Sequence, residues 1–394
     1  MPNNPLESIH EQAEAAFLPY GEQLRIVESY GEMEAEYAAL RKGVALMDTS
    51  QRGVVLITGK DRLSFLNKLL TNDLLKLAPG QGLYSFLLQR TGRILFDLNV
   101  LHEAEATLLE VDIRLTKTLV EELERYHFSE DVHIMDAAEQ LGHLTLLGPG
   151  AESLLEKLVD GSGVSGGGGV GGLNDQLRHG RRTLAHTALT IFRHDQAGVP
   201  GYELIVPRDS LVTVWQVLTE AGNGHEPDVA NGGGGVRAIG WSAFNTARIE
   251  AGTPLFGIDL TDTTLPLETG PLYLRAVSLK KGCYVGQEIV ARMHTRQSAA
   301  RLFVGLRVKS AKLPFAGTGI FTEAEQVGMI TSSCMSPMLG FTPVAMGYVR
   351  KECAAPGHAM ETLAEGERTG VEVTPLPFWP RPNATEVPPT TPSS

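Results

Sequence analysis

The feature that most constrains this chain is a pattern that returns. GKDRLSFLNKLL begins at Gly59 and GPGAESLLEKLV at Gly148, and Gly59/Gly148, Ser64/Ser153, Leu66/Leu155, Lys68/Lys157 and Leu69/Leu158 coincide at an offset of 89 residues. In the first copy Val54 to Ile57 forms a short apolar strand, and Leu63, Leu66, Leu69 and Leu70 then share one helical face. Further on, TLLEVDIRLTKTLVEEL resembles YELIVPRDSLVTVWQVL, again a strand running into a helix. Apolar spacing alone recurs widely. The shared order of elements is what points to a duplicated α+β half.

The rest of the chain is arranged around that duplication. Leu83–Leu88 and Arg93–Leu101 read as two strands joined by a turn at residues 89–92. From Leu302 the short runs FVGLRV, VGMITSS and VAMGYV carry little helix and predict a β domain. The glycine-rich stretches at 161–172 and 231–235 lead into no Gly-Lys-Ser/Thr, so they read as loops rather than phosphate cradles. The expected division is a first α+β unit over 1–140, a second over 141–300, a β domain over 301–378 and a disordered tail over 379–394.

Composition narrows the partners. The formal charge of −12 over 394 residues argues against nucleic-acid binding across the whole surface. No stretch approaches the ~20 apolar residues of a membrane span. The N-terminus lacks a basic region followed by an apolar block, so a cytoplasmic protein without a secretory signal is expected. Three cysteines in no paired motif suit a reducing compartment.

Three places carry possible chemistry. The first is Lys280 to Arg301, KKGCYVGQEIVARMHTRQSAAR, a basic segment on an acidic chain. If a helix starts near Tyr284, Cys283 sits at its N-terminus beside Lys280 and Lys281, and both influences favour a thiolate. A buried, inert cysteine is the competing reading. The second is Asp97 in ILFDLNVL, where Ile94, Phe96, Leu98 and Val100 face one way and Leu95, Asp97, Asn99 and Leu101 the other. A carboxylate in so apolar a strand needs a partner, either a ligand presenting N–H groups or a buried arginine such as Arg248. The third is Tyr202-Glu203, a flat ring beside a carboxylate, suited to stacking and bidentate bonding of a heteroaromatic amide edge. No metal is expected, because the cysteines and histidines show no ligand spacing.

KGCYVGQEIVAR resembles the K-G-C-[FY]-x-G-Q-E-x-x-x-R signature of the YgfZ-type folate-binding proteins, which assist iron–sulfur cluster assembly or repair. ALMDTSQRGVVLITGKDRLSFLNKLLTND, PGQGLYSFLLQRTGRILFDLNVL, ARIEAGTPLFGIDLTDTTLPLETG and ITSSCMSPMLGFTPVAMGYV resemble segments of the wider glycine-cleavage T-protein (aminomethyltransferase) superfamily. The resemblance implies an α+β fold of duplicated ferredoxin-like units around a central folate cavity, with a C-terminal β-barrel-like domain. It implies tetrahydrofolate, polyglutamylated or not, near Asp97, Tyr202, Glu203 and Arg248. Cys283 becomes a functional thiol with Lys281 beside it, supported by Gly282, Tyr284, Gly286, Gln287, Glu288 and Arg292. Iron–sulfur client or assembly proteins become partners of a monomer.

Departures from the T-protein pattern accompany the likeness. Phe96 stands where that family has the first acid of an Asp-Asp pair, Phe244-Asn245 replaces its Arg-Asp, and Cys283 replaces an Asp. These changes favour a folate-binding accessory protein over an enzyme. A folate-dependent aminomethyltransferase or methyltransferase using Asp97 is the alternative.

Overall fold

The computed structural model describes residues 4–22, 24–160, 170–223 and 235–379. The glycine-rich stretches lie largely outside these residues, as does the tail from 380 onward.

The two α+β units are there: the first sheet carries its helices on one face, and the second carries Ala151–Leu158 and Leu211–Asn223 on one face while Met33–Lys42 and Trp241–Glu250 cover part of the other. In the first sheet the strands run in the order Gln81–Leu88, Ile94–His102, Ala106–Asp112, Arg52–Thr58 and His133–Asp136. Helices Arg62–Leu69 and Thr116–Glu124 cover one face, where Phe65, Leu66 and Leu119 pack on Phe96, Leu98 and Val100. In the second unit, strand Leu141–Leu147 leads to helix Ala151–Leu158, and strand Gly201–Pro207 leads to helix Leu211–Asn223. The first strands of the two units, Arg52–Thr58 and Leu141–Leu147, keep the 89-residue offset, and each pairs antiparallel with the later strand of its unit.

The division at residue 140 is less clean than the sequence predicts. Val44–Asp48 joins the second sheet, antiparallel to Leu141–Leu147, and Val236–Ala238 pairs parallel to its outer side. All five residues of Val44–Asp48 are buried, as a strand covered on both faces must be. An early segment therefore completes the later unit.

The other faces of the two sheets meet over part of their area. Val54, Leu101, Ala106 and Leu108 of the first pack on Phe192 and Ile205 of the second. Beyond residue 300, six strands close into a barrel, Arg301–Val308, Thr342–Arg350, Glu325–Ser336, Gly319–Thr322, Ala359–Ala364 and Glu367–Thr374, around Leu306, Ile320, Ile330 and Val349. Among the described residues no helix is long and apolar enough to cross a membrane.

Candidate functional site

The layer between the two sheets is mostly apolar, and the polar groups in it stand out. Strand Ile94–His102 sends Phe96, Leu98 and Val100 to the helices and Asp97, Asn99 and Leu101 to the opposite sheet. The expected alternation holds only from Phe96 onward. A bulge pairs Leu87 with Phe96 and Leu88 with Ile94, so Leu95 has no partner opposite and Ile94 packs with Tyr273 and Tyr284 instead. Phe96 is thus a core residue on the helix side. A side chain at this position points away from the inter-sheet face.

Asp97 has one oxygen committed and one free. Oδ2 accepts from the Tyr84 hydroxyl at 3.0 Å, whereas Oδ1 is buried without a partner. Burial pushes the Asp97 carboxyl up, against the pull of Arg52, and the nearby Glu110 and Asp112 push the same way as burial. Asn99, two residues along the same face, donates to Glu110 Oε2 at 2.6 Å, and Arg52 donates to the other oxygen of Glu110. Burial opposes ionisation of Glu110, but Arg52 outweighs it and holds the carboxyl below its ordinary value.

On the second sheet Glu203 is buried and held from two sides. Thr145 Oγ1 donates to Oε2 at 2.5 Å and Gln196 Nε2 to Oε1 at 3.2 Å, with His194 Nδ1 3.7 Å from Oε1. Thr49 and Thr145 hydroxyls meet at 2.9 Å behind this contact. His143, also on this face, is wholly buried and has neither ring nitrogen hydrogen-bonded. It lies within the fields of Glu110 from one sheet and Glu203 from its own. Asp97 and Glu203, named separately from the sequence, belong to facing surfaces of one interior.

Two expected members do not join them. Tyr202 neighbours Glu203 in a strand, so it points to the opposite face, among Leu204, Val206 and Trp215. Its hydroxyl donates to Glu152 at 3.0 Å and accepts from Arg193 at 2.7 Å. Arg248 does not meet Asp97. Its guanidinium reaches Asn245 Oδ1, Thr253 O, the Asp259 carboxylate and Ser332 Oγ, which ties helix Trp241–Glu250 to the barrel. Each of its three nitrogens already donates to a protein acceptor, so it acts as a clamp.

The KGCYVGQE segment is also built differently from its reading. The helix begins at Gln287, so Cys283 lies in the preceding loop and not at a helix N-terminus. Lys281 turns inward. Its ammonium donates to the carbonyls of Asn67, Leu70 and Asn72 at 2.6–2.7 Å, capping the end of helix Arg62–Leu69, and burial pushes it down to about 8. Tyr284 is buried with Phe86, Leu88 and Ile94. Gly286 has φ +78°, and a Cβ there would stand 2.8 Å from Gln89 O. Gln287 reaches Gly282 O at 3.4 Å, while Glu288 and Arg292 pair on the exposed side of the helix. Lys281, Tyr284 and Gly286 thus fasten the segment to the first unit, with Gly282 and Cys283 left exposed between two anchors. Among the described residues no group of three His, Cys, Asp or Glu gathers as a metal site.

Tyr84, Arg52, Asn99, Glu110, His143 and Thr145 were missed in the sequence. Glu110 in TLLEVD and His143 in LGHLTLL carry the signal that marked Asp97, a polar residue inside an apolar strand. Two open clefts flank the KGCYVGQE segment, one lined by Arg90, Tyr126 and Val285–Ile289, the other by Arg90, Leu95, Thr118 and Tyr126. Neither reaches Asp97.

The chain matches the family of the GCVT N-terminal domain over residues 6–281 and the glycine cleavage T-protein C-terminal barrel domain over 301–380. An aminomethyltransferase of Geobacillus kaustophilus is 27% identical over 378 residues, 96% of this chain and 98% of that protein. One from Streptomyces avermitilis is 30% identical over 359 residues, 89% and 91% of the two chains. The crystal structure of glycine cleavage system aminomethyltransferase T from Bartonella henselae superposes with a TM-score of 0.82 at 25% identity, covering 96% of this chain and 98% of that one.

Proposed function

The chain belongs to the glycine-cleavage T-protein family, and from that premise we propose that it binds tetrahydrofolate between its two sheets and transfers a one-carbon unit there, in the manner of an aminomethyltransferase. The observation that carries this reading is Asp97 Oδ1, a buried carboxylate oxygen without a partner, facing the sheet that holds Glu203. An unpaired buried acceptor costs free energy unless a ligand donates to it. The folate ring brings N–H donors, and Glu203, already fixed by Thr145 and Gln196, offers a further acceptor for them. Asp97, its carboxyl raised by burial, is suited to hold the proton that an attacking folate amine gives up.

The departures at Phe96 and Phe244-Asn245 weigh little against this. Phe96 faces the helices, and Asn245 supports Arg248 at 2.9 Å. The test is formation of 5,10-methylenetetrahydrofolate from a methylamine-type donor. Turnover by the wild type and its loss in Asp97→Asn are expected, and folate binding without turnover of any such donor would refute the transfer step.

A second reading has its own support in the exposed Cys283, displayed between the anchors Lys281 and Tyr284. In it the chain is a cytoplasmic folate-binding accessory factor for iron–sulfur proteins, with the thiol as its functional group and those proteins as partners. Complementation of a strain lacking such a factor decides this reading. Rescue by wild type and not by Cys283→Ala supports it, and rescue by Cys283→Ala at normal expression removes the thiol from the mechanism.

A further inference from the structure

His143 is a residue that the reading above does not use. Its side chain is 0% exposed, and neither Nδ1 nor Nε2 has a hydrogen-bond partner. Its strand neighbours are satisfied differently, with Thr145 committed to Glu203 and Thr49. Nothing about the fold requires an imidazole here. His143 pairs in register with Ile205, whose side chain packs in the apolar contact between the sheets, and a phenylalanine or leucine would suit such a place. A wholly buried ring with two unused nitrogens loses free energy in the free protein, so its retention calls for a partner that arrives later.

The position says what that partner is. His143 and Thr145 are two residues apart on one face, roughly 6.6 Å at the usual rise of a strand. Thr145 marks the Glu203 carboxylate. That spacing is the width of a fused two-ring heteroaromatic laid along the strand. The charged groups whose fields reach the imidazole are Glu110 and Arg52 on the first sheet, and Glu203 and Asp48 on the second. Burial pushes the imidazole pKa down and Arg52 adds to this, against the three carboxylates, so the ring is neutral and offers one donor and one acceptor. Asp97 and Glu203 as carboxylates only accept. The imidazole therefore supplies the donor that a ring carbonyl beside N–H groups needs.

We propose that His143 is a ligand-contacting residue of the inter-sheet site, hydrogen-bonding through a ring nitrogen to the polar edge of a fused heteroaromatic ring that also reaches Glu203. This rests on the folate reading, and the probe is tetrahydrofolate itself. His143→Phe fills the same space and removes the orphaned nitrogens, so its melting temperature should equal or exceed that of wild type. Its dissociation constant for tetrahydrofolate should rise at least tenfold, while His143→Gln, which keeps a donor and an acceptor, should stay within about threefold. A folded His143→Phe that binds within threefold of wild type overturns the proposal.

Two further arms separate the possible failures. If wild type binds and Asp97→Asn weakens binding but His143→Phe does not, this inference alone falls. If wild type binds no tetrahydrofolate, the folate reading falls and takes this contact with it. Should His143→Phe fail to fold, the imidazole ¹⁵N resonances of wild type decide. Saturating tetrahydrofolate should shift one ring nitrogen of His143, and unmoved resonances at saturation would overturn the contact.

Discussion

At the scale of single residues, the proposed site is a set of buried polar atoms, some of which lack a partner in the protein. Asp97 shows this most directly. Its carboxyl is raised above the ordinary value, chiefly by burial, so the folded protein binds its proton more tightly than the unfolded chain. Such a group contributes stability below its unfolded value and loses that contribution as the pH rises through the folded one. At pH 7 the charged form is a burden. Asp97→Asn, which keeps an acceptor for Tyr84, should therefore raise the melting temperature at pH 7 by about 1–3 °C, and the gain should vanish near pH 3. A destabilised variant at pH 7 would show that the carboxylate is structural. Lys281 is the opposite case. Lys281→Met leaves three carbonyls without a donor and should cost about 2–4 kcal/mol in denaturant unfolding; an unchanged midpoint would contradict its role as an anchor.

The same residues show what a sequence reveals and what it withholds. Asp97 and Glu203 were legible because a charge inside an apolar strand is a local anomaly. Tyr202 neighbours Glu203 in the chain but not in space, because strand alternation puts neighbours on opposite faces. The partners of Arg248 and Lys281, Asp259 with Ser332 and the carbonyls of residues 67–72, are set by tertiary folding and leave no mark on the local pattern. The bulge at Leu95 was likewise hidden, since either face of that strand accepts leucine.

At the scale of elements, the KGCYVGQE segment is a strap. It is fastened by Lys281, Tyr284 and Gly286 against helix Arg62–Leu69 and the turn at residues 89–92, and then leads through helix Gln287–Arg296 into the first strand of the barrel. The glycine at 286 is needed twice, for its positive φ and for the absence of a Cβ beside Gln89 O. Gly286→Ala should destabilise the protein by about 1–3 kcal/mol and increase amide exchange in helix Gln287–Arg296 before the sheets are affected. Exchange confined to the sheets would mean that the strap is not an independent fastening. The repeat was readable at this scale because helix faces and strand runs recur in order. The recruitment of Val44–Asp48 into the second sheet was not, since a buried strand carries no statement of which sheet it joins.

At the scale of the whole molecule, helix Trp241–Glu250 couples the paired sheets to the barrel. Arg248 meets Asp259 and Ser332, and Glu250 accepts from Arg41, Tyr37 and Ser336. Breaking a buried pair strands a charge, so Arg248→Met should cost about 3–5 kcal/mol, and adding Asp259→Asn should recover part of it. A double variant no better than the single would mean that the arginine acts through packing alone. The barrel is thereby tied to the two sheets between which the proposed site lies. The central claim is that this layer is where tetrahydrofolate sits. The most direct measurement is a structure of the protein with tetrahydrofolate bound, which should place the fused ring between Asp97 and Glu203 with an N–H donor on Asp97 Oδ1. A ring bound instead in the clefts by Arg90 and Tyr126, with the layer between the sheets unchanged, would contradict it.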